Sequence, residues 1–121
     1  MIKYAGAFAV AAVIGFWSPP PQQTACLHGP SETPAQASRR QAAIGFARQV
    51  NTLERSGHEQ AQSYYMLTDL PGLPTLPDGF KAHLSTDGAS YAFSIKDTLD
   101  PCRFALFSDE DAVIYTATPL R

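Results

Sequence analysis

A single helical periodicity followed by four short strand-like segments is the feature that most constrains the fold of this chain. Residues 38–65 carry apolar side chains at three- and four-residue spacing, which predicts one long amphipathic helix with one buried face. Ser38 is a suitable N-cap, and Gly57 predicts a weak point or a break in the helix. The apolar positions of the stripe are Ala43, Phe46, Ala47, Val50, Leu53, Ala61 and Tyr64.

The second half of the chain predicts two β-hairpins. Segments 80–85 and 91–96 flank the turn sequence Thr86-Asp87-Gly88, and segments 102–108 and 112–118 flank Asp109-Glu110-Asp111. Tyr91, Phe93 and Ile95 alternate with small or polar residues, so one face of that strand should be buried. Because neither a helix stripe nor a sheet face can be buried alone, we expect an α+β fold in which the helix covers a four-stranded antiparallel meander.

Residues 66–78 join the helix to the first strand and contain Pro71, Pro74 and Pro77, which exclude regular structure. Leucine recurs at every third position, at residues 67, 70, 73 and 76, as in an extended polyproline-like segment. We expect these leucines to hold the connector against the core.

The first 17 residues predict a signal peptide or a membrane anchor. Lys3 precedes an apolar run over residues 5–17, which as a helix would cover about 20 Å of a hydrocarbon core about 30 Å thick. Three alternatives stay open: cleavage of a signal after Gly15 or Ala25, an uncleaved anchor, and a lipoprotein modified at Cys26. In each of them the positive charge before the run directs the C-terminal part out of the cytoplasm, to the periplasm or the cell exterior.

Residues 18–37 are rich in Pro, Gln, Ser and Thr and predict an extended, proline-rich tether. Pro19-Pro20-Pro21 would end the apolar helix before it. The predicted organisation is therefore a signal or anchor at 1–17, a tether at 18–37 and a single small α+β domain at 38–121.

The order of these parts resembles the type IV pilins and the pseudopilins of type II secretion. The similar segments run from Ser63-Tyr64-Tyr65 to Phe80, along the strand at 91–96, and from Ser108-Asp109 to Tyr115. The resemblance covers roughly the last 80 residues as a pattern of residue types, and it implies a pilin-like head in the cell envelope. The N-terminus departs from the family, because the three prolines interrupt the helix and the early glutamate and the prepilin peptidase motif are absent.

The two cysteines, Cys26 and Cys102, predict a disulfide if the chain is exported. Closing a loop of this length would remove up to about 4.5 kcal/mol of chain entropy from the unfolded state. The alternative is that Cys26 is unpaired or removed and Cys102 is a buried small hydrophobe.

Catalytic and metal-binding patterns are weak in this sequence. His28, His58 and His83 are scattered and predict solvated or edge histidines, and Arg39-Arg40 predicts a solvated helix start. No nucleophile-elbow pattern surrounds a serine, and neither cysteine has a second ligand at zinc spacing. We therefore expect no cofactor and no enzymatic activity. The acidic turn Asp109-Glu110-Asp111, together with Asp97 and Asp100, is a candidate calcium site, and the resemblance to the pilins favours this interpretation.

These features together predict a non-catalytic protein of the cell envelope. The net charge of −2 argues against a nucleic-acid partner. We expect an exported structural or interaction protein, whose helix presents exposed aromatic residues to an envelope or membrane protein partner. Membrane contact would run through residues 1–17 if they are uncleaved. The alternative is a soluble periplasmic or secreted ligand-binding or inhibitor module.

Overall fold

The computed structural model of the protein describes residues 26–117, in which one α-helix packs against a four-stranded antiparallel sheet. This confirms the predicted α+β class. The predicted signal or anchor at 1–17 and the tether segment 18–25 lie outside the described residues. The elements in chain order are α1 (Pro34–Ala61), a short 3-10 helix (Leu67–Asp69), β1 (Phe80–Thr86), β2 (Tyr91–Asp97), β3 (Ala105–Asp109) and β4 (Tyr115–Ala117).

Helix α1 begins at Pro34, so the prediction of Ser38 as the N-cap is wrong. Thr33 is the N-cap, and its side-chain oxygen accepts a hydrogen bond from the Gln36 amide at 3.2 Å. Pro34 fits the first turn because the amide that it lacks would have no partner inside the helix. Residues 34–37 of the predicted tether are therefore helical.

Helix α1 ends at Ala61, four residues before the predicted end. Gln62 takes the left-handed conformation with φ of 60°, and its amide donates to the His58 carbonyl at 2.8 Å. The helix is continuous through Gly57, where the sequence predicted a weak point or break. A Cβ at Gly57 would lie 2.6 Å from Cδ2 of Tyr65, so the absence of a side chain lets the following segment fold back onto the helix.

The sheet has the order β1-β2-β3-β4, with each strand antiparallel to the next, so β1 and β4 are its edges. Strand β3 begins at Ala105 instead of Cys102, because Arg103 has φ of 54° and its amide closes a turn onto the Asp100 carbonyl at 2.9 Å. Strand β4 has three residues. The preceding turn uses Ala112 at φ of 62°, whose amide donates to the Asp109 carbonyl at 2.8 Å.

The core lies between the apolar stripe of α1 and the inner face of the sheet. The stripe residues Ala43, Ala47 and Val50 have no exposed surface, and neither do Ile95 and Leu106 opposite them. Leu70 is buried in the connector, and the other three leucines of residues 66–78 pack partly buried against the same core. The prediction that these leucines hold the connector in place is thereby confirmed.

The described residues contain no helix that is both long and apolar enough to cross a membrane. This finding concerns residues 26–117 only.

Candidate functional site

The first described residues, 26–32, are fastened to the turn between β2 and β3. Cys26 and Cys102 form a disulfide that joins positions 76 residues apart. The amide of Leu27 donates to Oδ1 of Asp100 at 3.0 Å. The Asp100 carboxylate also accepts from the amides of Cys102 and Phe104, at 3.0 and 3.1 Å. Asp100 thus holds the turn and the incoming chain together.

His28 lies behind this disulfide with only 7% of its surface exposed. Its Nδ1 is 2.6 Å from Oε2 of Glu32, and its Nε2 is 2.7 Å from Oδ2 of Asp97. An ionised carboxylate can only accept hydrogen bonds, so it is the ring nitrogens of His28 that donate in these contacts. The ring also packs against Phe104, with centroids 4.7 Å apart.

Two consecutive arginines of α1 complete the cluster. Arg39 donates to both oxygens of Asp97, at 2.8 and 3.1 Å, and its guanidinium lies 4.7 Å from the centre of the Phe80 ring. Arg40 donates to both oxygens of Glu32 at 2.9 to 3.2 Å. Such bidentate pairs are the strongest ion-pair geometry that proteins use. We call His28, Glu32, Arg39, Arg40 and Asp97, together with the disulfide, the N-terminal clamp.

The clamp shifts the pKa values of both of its carboxyls downward. Burial raises the pKa of Asp97, but hydrogen bonds from Arg39 and His28 outweigh it and hold that pKa below its usual value. Hydrogen bonds from Arg40 and then from His28 lower the pKa of Glu32 to about 2. Both carboxyls are therefore ionised at neutral pH and bonded to cationic partners.

The N-terminal clamp is suited to holding residues 26–32 in a fixed position against the β2–β3 turn. Both cysteine sulfurs are in the disulfide, and both nitrogens of His28 already bond to carboxylates. An open depression of about 410 Å³ lies beside the clamp, between the N-terminal segment and β4. Its lining residues are His28, Gly29, Glu32, Arg40, Phe104, Thr116 and Ala117.

A second polar network lies buried between α1 and the sheet. Asn51 donates to the Ser108 hydroxyl at 3.0 Å and accepts from the Tyr91 hydroxyl at 2.6 Å, so these side chains lock the helix to β2 and β3. Glu54, which has no exposed surface, accepts from the Tyr65 amide at 2.7 Å, while its Oε2 has no hydrogen-bond partner among the described residues. Burial raises the pKa of Glu54, although the Tyr65 hydrogen bond opposes that shift.

The three histidines lie on separate parts of the fold. His58 stacks on Tyr64 near the end of α1, with centroids 4.2 Å apart, and His83 is exposed on β1. His28 is the exception to the prediction of solvated or edge histidines, since it is buried and doubly bonded. The prediction of a solvated helix start at Arg39-Arg40 is wrong as well, because both guanidinium groups are paired with carboxylates from outside the helix.

The predicted calcium candidates occupy two different places. Asp109 accepts a hydrogen bond from the Asp111 amide at 3.0 Å within the β3–β4 turn, and Oε2 of Glu110 accepts one from the Tyr91 amide at the start of β2 at 3.4 Å. Asp97 and Asp100 are held in the N-terminal clamp and its turn instead. In residues 26–117, the group of potential metal ligands that converge within 4.8 Å is Cys26, Asp100 and Cys102, whose sulfurs are used by the disulfide.

The exposed aromatic residues lie on the sheet, whereas the sequence placed a docking face on the helix. Phe46 is the only Phe, Tyr or Trp of α1 and is 5% exposed. Phe107 and Tyr115, by contrast, are 40% and 61% exposed on the outer face of the sheet. The two residues are directly opposite each other on β3 and β4. The exposed aromatic side chains of the described residues therefore lie on the sheet and not on the helix.

Comparison of the chain with protein-family profiles, with curated proteins and with solved structures finds no match.

Proposed function

We propose that this protein is an exported, non-catalytic interaction protein of the cell envelope, with a small head that resembles those of the pilins. The observation that carries the proposal is the N-terminal clamp at the point where residues 1–25 join the domain. A disulfide persists in oxidising compartments, and here it follows directly on a segment with the features of an export signal or anchor.

The clamp also supports a tethered head on mechanical grounds. Tension on residues 1–25 would arrive at Cys26 and pass through the covalent bond to Cys102, in the turn between the two central strands. It would bypass the Thr33 cap and the first turn of α1, where hydrogen bonds alone hold the chain. Behind the disulfide, a buried hydrogen bond between His28 and Asp97 joins the same two regions.

Mass spectrometry of the full-length chain, expressed with its own N-terminus and fractionated without reductant, tests the proposal. We expect one intramolecular disulfide in material outside the cytoplasm. An intact Met1 in the membrane fraction would identify an anchored head, and a new N-terminus in the soluble exported fraction would identify the secreted binding or inhibitor module. A cytosolic chain with two alkylatable thiols would overturn export.

A pair of charge-matched variants connects the result to the apolar run. Val10→Arg with Val13→Arg places two charges inside the run and should keep the chain in the cytosol with reduced cysteines. Gln49→Arg with Gln60→Arg adds the same charge at exposed helix positions more than 30 residues after the run, too far to alter its charge bias, and should leave export unchanged.

A further inference from the structure

On the outer face of the sheet, which faces away from α1, basic, aromatic and acidic residues follow one another along the direction of the strands. The register of the four strands places its side chains in three parallel rows. The row at one end, which we call the basic row, contains Lys81 and Lys96 followed by Ala105 and Ala117. The row at the other end contains Ser85, Ala92 and Asp109, and we call it the acidic row after its one carboxylate. Between them runs an aromatic row of His83, Ser94, Phe107 and Tyr115.

The aromatic row carries exposed apolar surface. Tyr115 is 61% exposed and Phe107 is 40% exposed, and their side chains are neighbours across the β3–β4 pair. Adjacent exposed aromatic side chains on a sheet face are costly in water, and such patches are used for association.

The two charged rows lie about 13 Å apart, four residues along each strand. Lys81 and Lys96 are exposed and make no ion pair within the described part of the chain. At the opposite end, the carboxylates of Asp87, Asp109 and Glu110 line an open depression of about 520 Å³. The face thus presents free cations at one end and carboxylates at the other.

We propose that the outer face binds a second copy of this chain, with a twofold axis along the aromatic row. Rotation by 180° about that axis places each strand over its own equivalent in the opposite direction. Lys96 on β2 then lies over Ala92 of the other copy, and its long side chain reaches diagonally to Asp109 on the adjacent β3, about 4.8 Å to the side, twice in each dimer. Phe107 and Tyr115 meet their own equivalents at the centre, which is the self-complementary pattern that an isologous interface requires.

The order of the rows is what selects a second copy. A uniformly anionic membrane or an acidic peptide would meet repulsion at the acidic row, and a basic partner would meet it at the lysines. Only a partner with the opposite order of charge along the strands matches both ends, and the same face turned around has that order. The face is small, with four strands about 4.8 Å apart, so the dimer should be weak and dependent on concentration.

Sedimentation velocity of the full-length chain, purified without reductant in a non-ionic detergent, tests the proposal between about 1 and 300 µM. We expect a reversible monomer–dimer equilibrium. Lys96→Glu and Asp109→Lys should each raise the dimer dissociation constant about tenfold or more, because each replaces two attractions by two repulsions. An equimolar mixture of these two variants should recover the wild-type dissociation constant as a heterodimer. Arg55→Glu, an exposed charge reversal on α1, is the control and should change nothing.

Three outcomes would overturn the proposal. One is a monomer over the whole range; another is a dimer that Lys96→Glu affects no more than Arg55→Glu does, as expected if association ran through residues 1–17. The third is a monomer that binds phosphatidylglycerol vesicles and loses that binding in Phe107→Ser, which would assign the face to a membrane. The inference does not depend on export, so a monomeric envelope protein and a dimeric cytosolic one are distinguishable results.

Discussion

Asp97 shows how much one side chain can organise in this protein. It is 1% exposed, and it accepts hydrogen bonds from the Arg39 guanidinium, from Nε2 of His28 and from the Leu99 amide. Three parts of the chain therefore depend on one carboxylate: the incoming N-terminal segment, the helix and the β2–β3 turn. Removing its charge would leave the Arg39 guanidinium without its carboxylate partner and would weaken the hydrogen bond with His28.

We expect Asp97→Asn to lower the free energy of unfolding by about 3 kcal/mol, because breaking a buried ion pair leaves a charge uncompensated. Urea unfolding at pH 7 without reductant measures this change. Asp111→Asn removes a carboxylate from an exposed turn position and should change stability by less than about 0.5 kcal/mol. Equal effects of the two variants would show that Asp97 does not hold the clamp.

The stability contributions of Glu54 and of the two clamp carboxyls, Asp97 and Glu32, depend on pH in opposite directions. Because burial raises the pKa of Glu54 in the folded state above its usual value of 4.5, the folded chain binds more protons than the unfolded chain between those two pKa values. This contribution to stability is complete below pH 4.5 and is lost as the pH rises through the folded-state pKa. The lowered pKa values of Asp97 and Glu32 act in the other direction, since their contribution is lost as the pH falls.

We expect Glu54→Gln to become more stable relative to the wild type as the pH is raised from 5 to 8, because the variant lacks the group whose ionisation is penalised. Chemical denaturation at several pH values measures the difference in unfolding free energy. Glu59→Gln, an exposed position on the same helix, is the control and should show no trend. A pH-independent difference for Glu54→Gln would contradict the raised pKa.

At the scale of elements, helix α1 is determined by local signals at its ends and by tertiary packing in its second half. The Thr33 cap and Pro34 set its start. Gly57 is set by tertiary packing instead, because the absence of a side chain there makes room for the Tyr65 ring. The Tyr65 amide donates a hydrogen bond to Glu54. Helix propensity and tertiary packing therefore make opposite predictions for this glycine.

We expect Gly57→Ala to destabilise the protein by about 1 kcal/mol or more, since the new methyl group would overlap the Tyr65 ring and outweigh the gain in helix propensity. Gly45→Ala is the matched control on the same helix, because a Cβ there meets nothing within 4 Å. It should stabilise the protein by up to about 1 kcal/mol. Thermal unfolding of both variants makes the comparison, and stabilisation by Gly57→Ala would show that Tyr65 moves away at little cost.

At the scale of the whole molecule, the disulfide links the beginning of the described chain to the centre of the sheet. We expect Cys26→Ala with Cys102→Ala to lose up to about 4.5 kcal/mol of stability, because the unfolded state regains the entropy of the 76-residue loop. Reduction of the wild type should produce a similar loss, measured by urea unfolding with and without reductant. The double variant should itself be insensitive to reductant. A wild type that unfolds identically in both conditions would contradict a bridge in the purified protein.

Much of the architecture could be predicted from local sequence. The helical stripe at Ala43, Phe46, Ala47 and Val50 and the alternation at β2 are set by periods of 3.6 and 2, which every residue of an element repeats. Boundaries were less predictable. Ser38 and Thr33 are both acceptable N-caps, and only the position of Pro34 and the packing of the following turns favour Thr33.

The clamp was the main feature that the sequence analysis missed. His28 and Asp97 are 69 positions apart, and Arg39 and Asp97 are 58 apart, so nothing in their neighbourhoods distinguishes them from solvated charges. The one usable signal was the cysteine pair. A bridge between Cys26 and Cys102 brings His28 close to the turn that follows Asp97, and that proximity could have placed the two side chains together.

The sequence by itself determined the α+β class and the α1-to-sheet order, because periodicity and turn chemistry are properties of neighbouring residues. It left open whether Cys26 and Cys102 pair, and the structure shows that they do. Only the tertiary structure decided which charges are buried together and which aromatic residues stay exposed. His28, Arg39 and Asp97 meet through distant parts of the chain, and the order of rows on the outer face follows from strand register. Register and burial depend on packing the whole domain, and one segment of sequence does not contain that information.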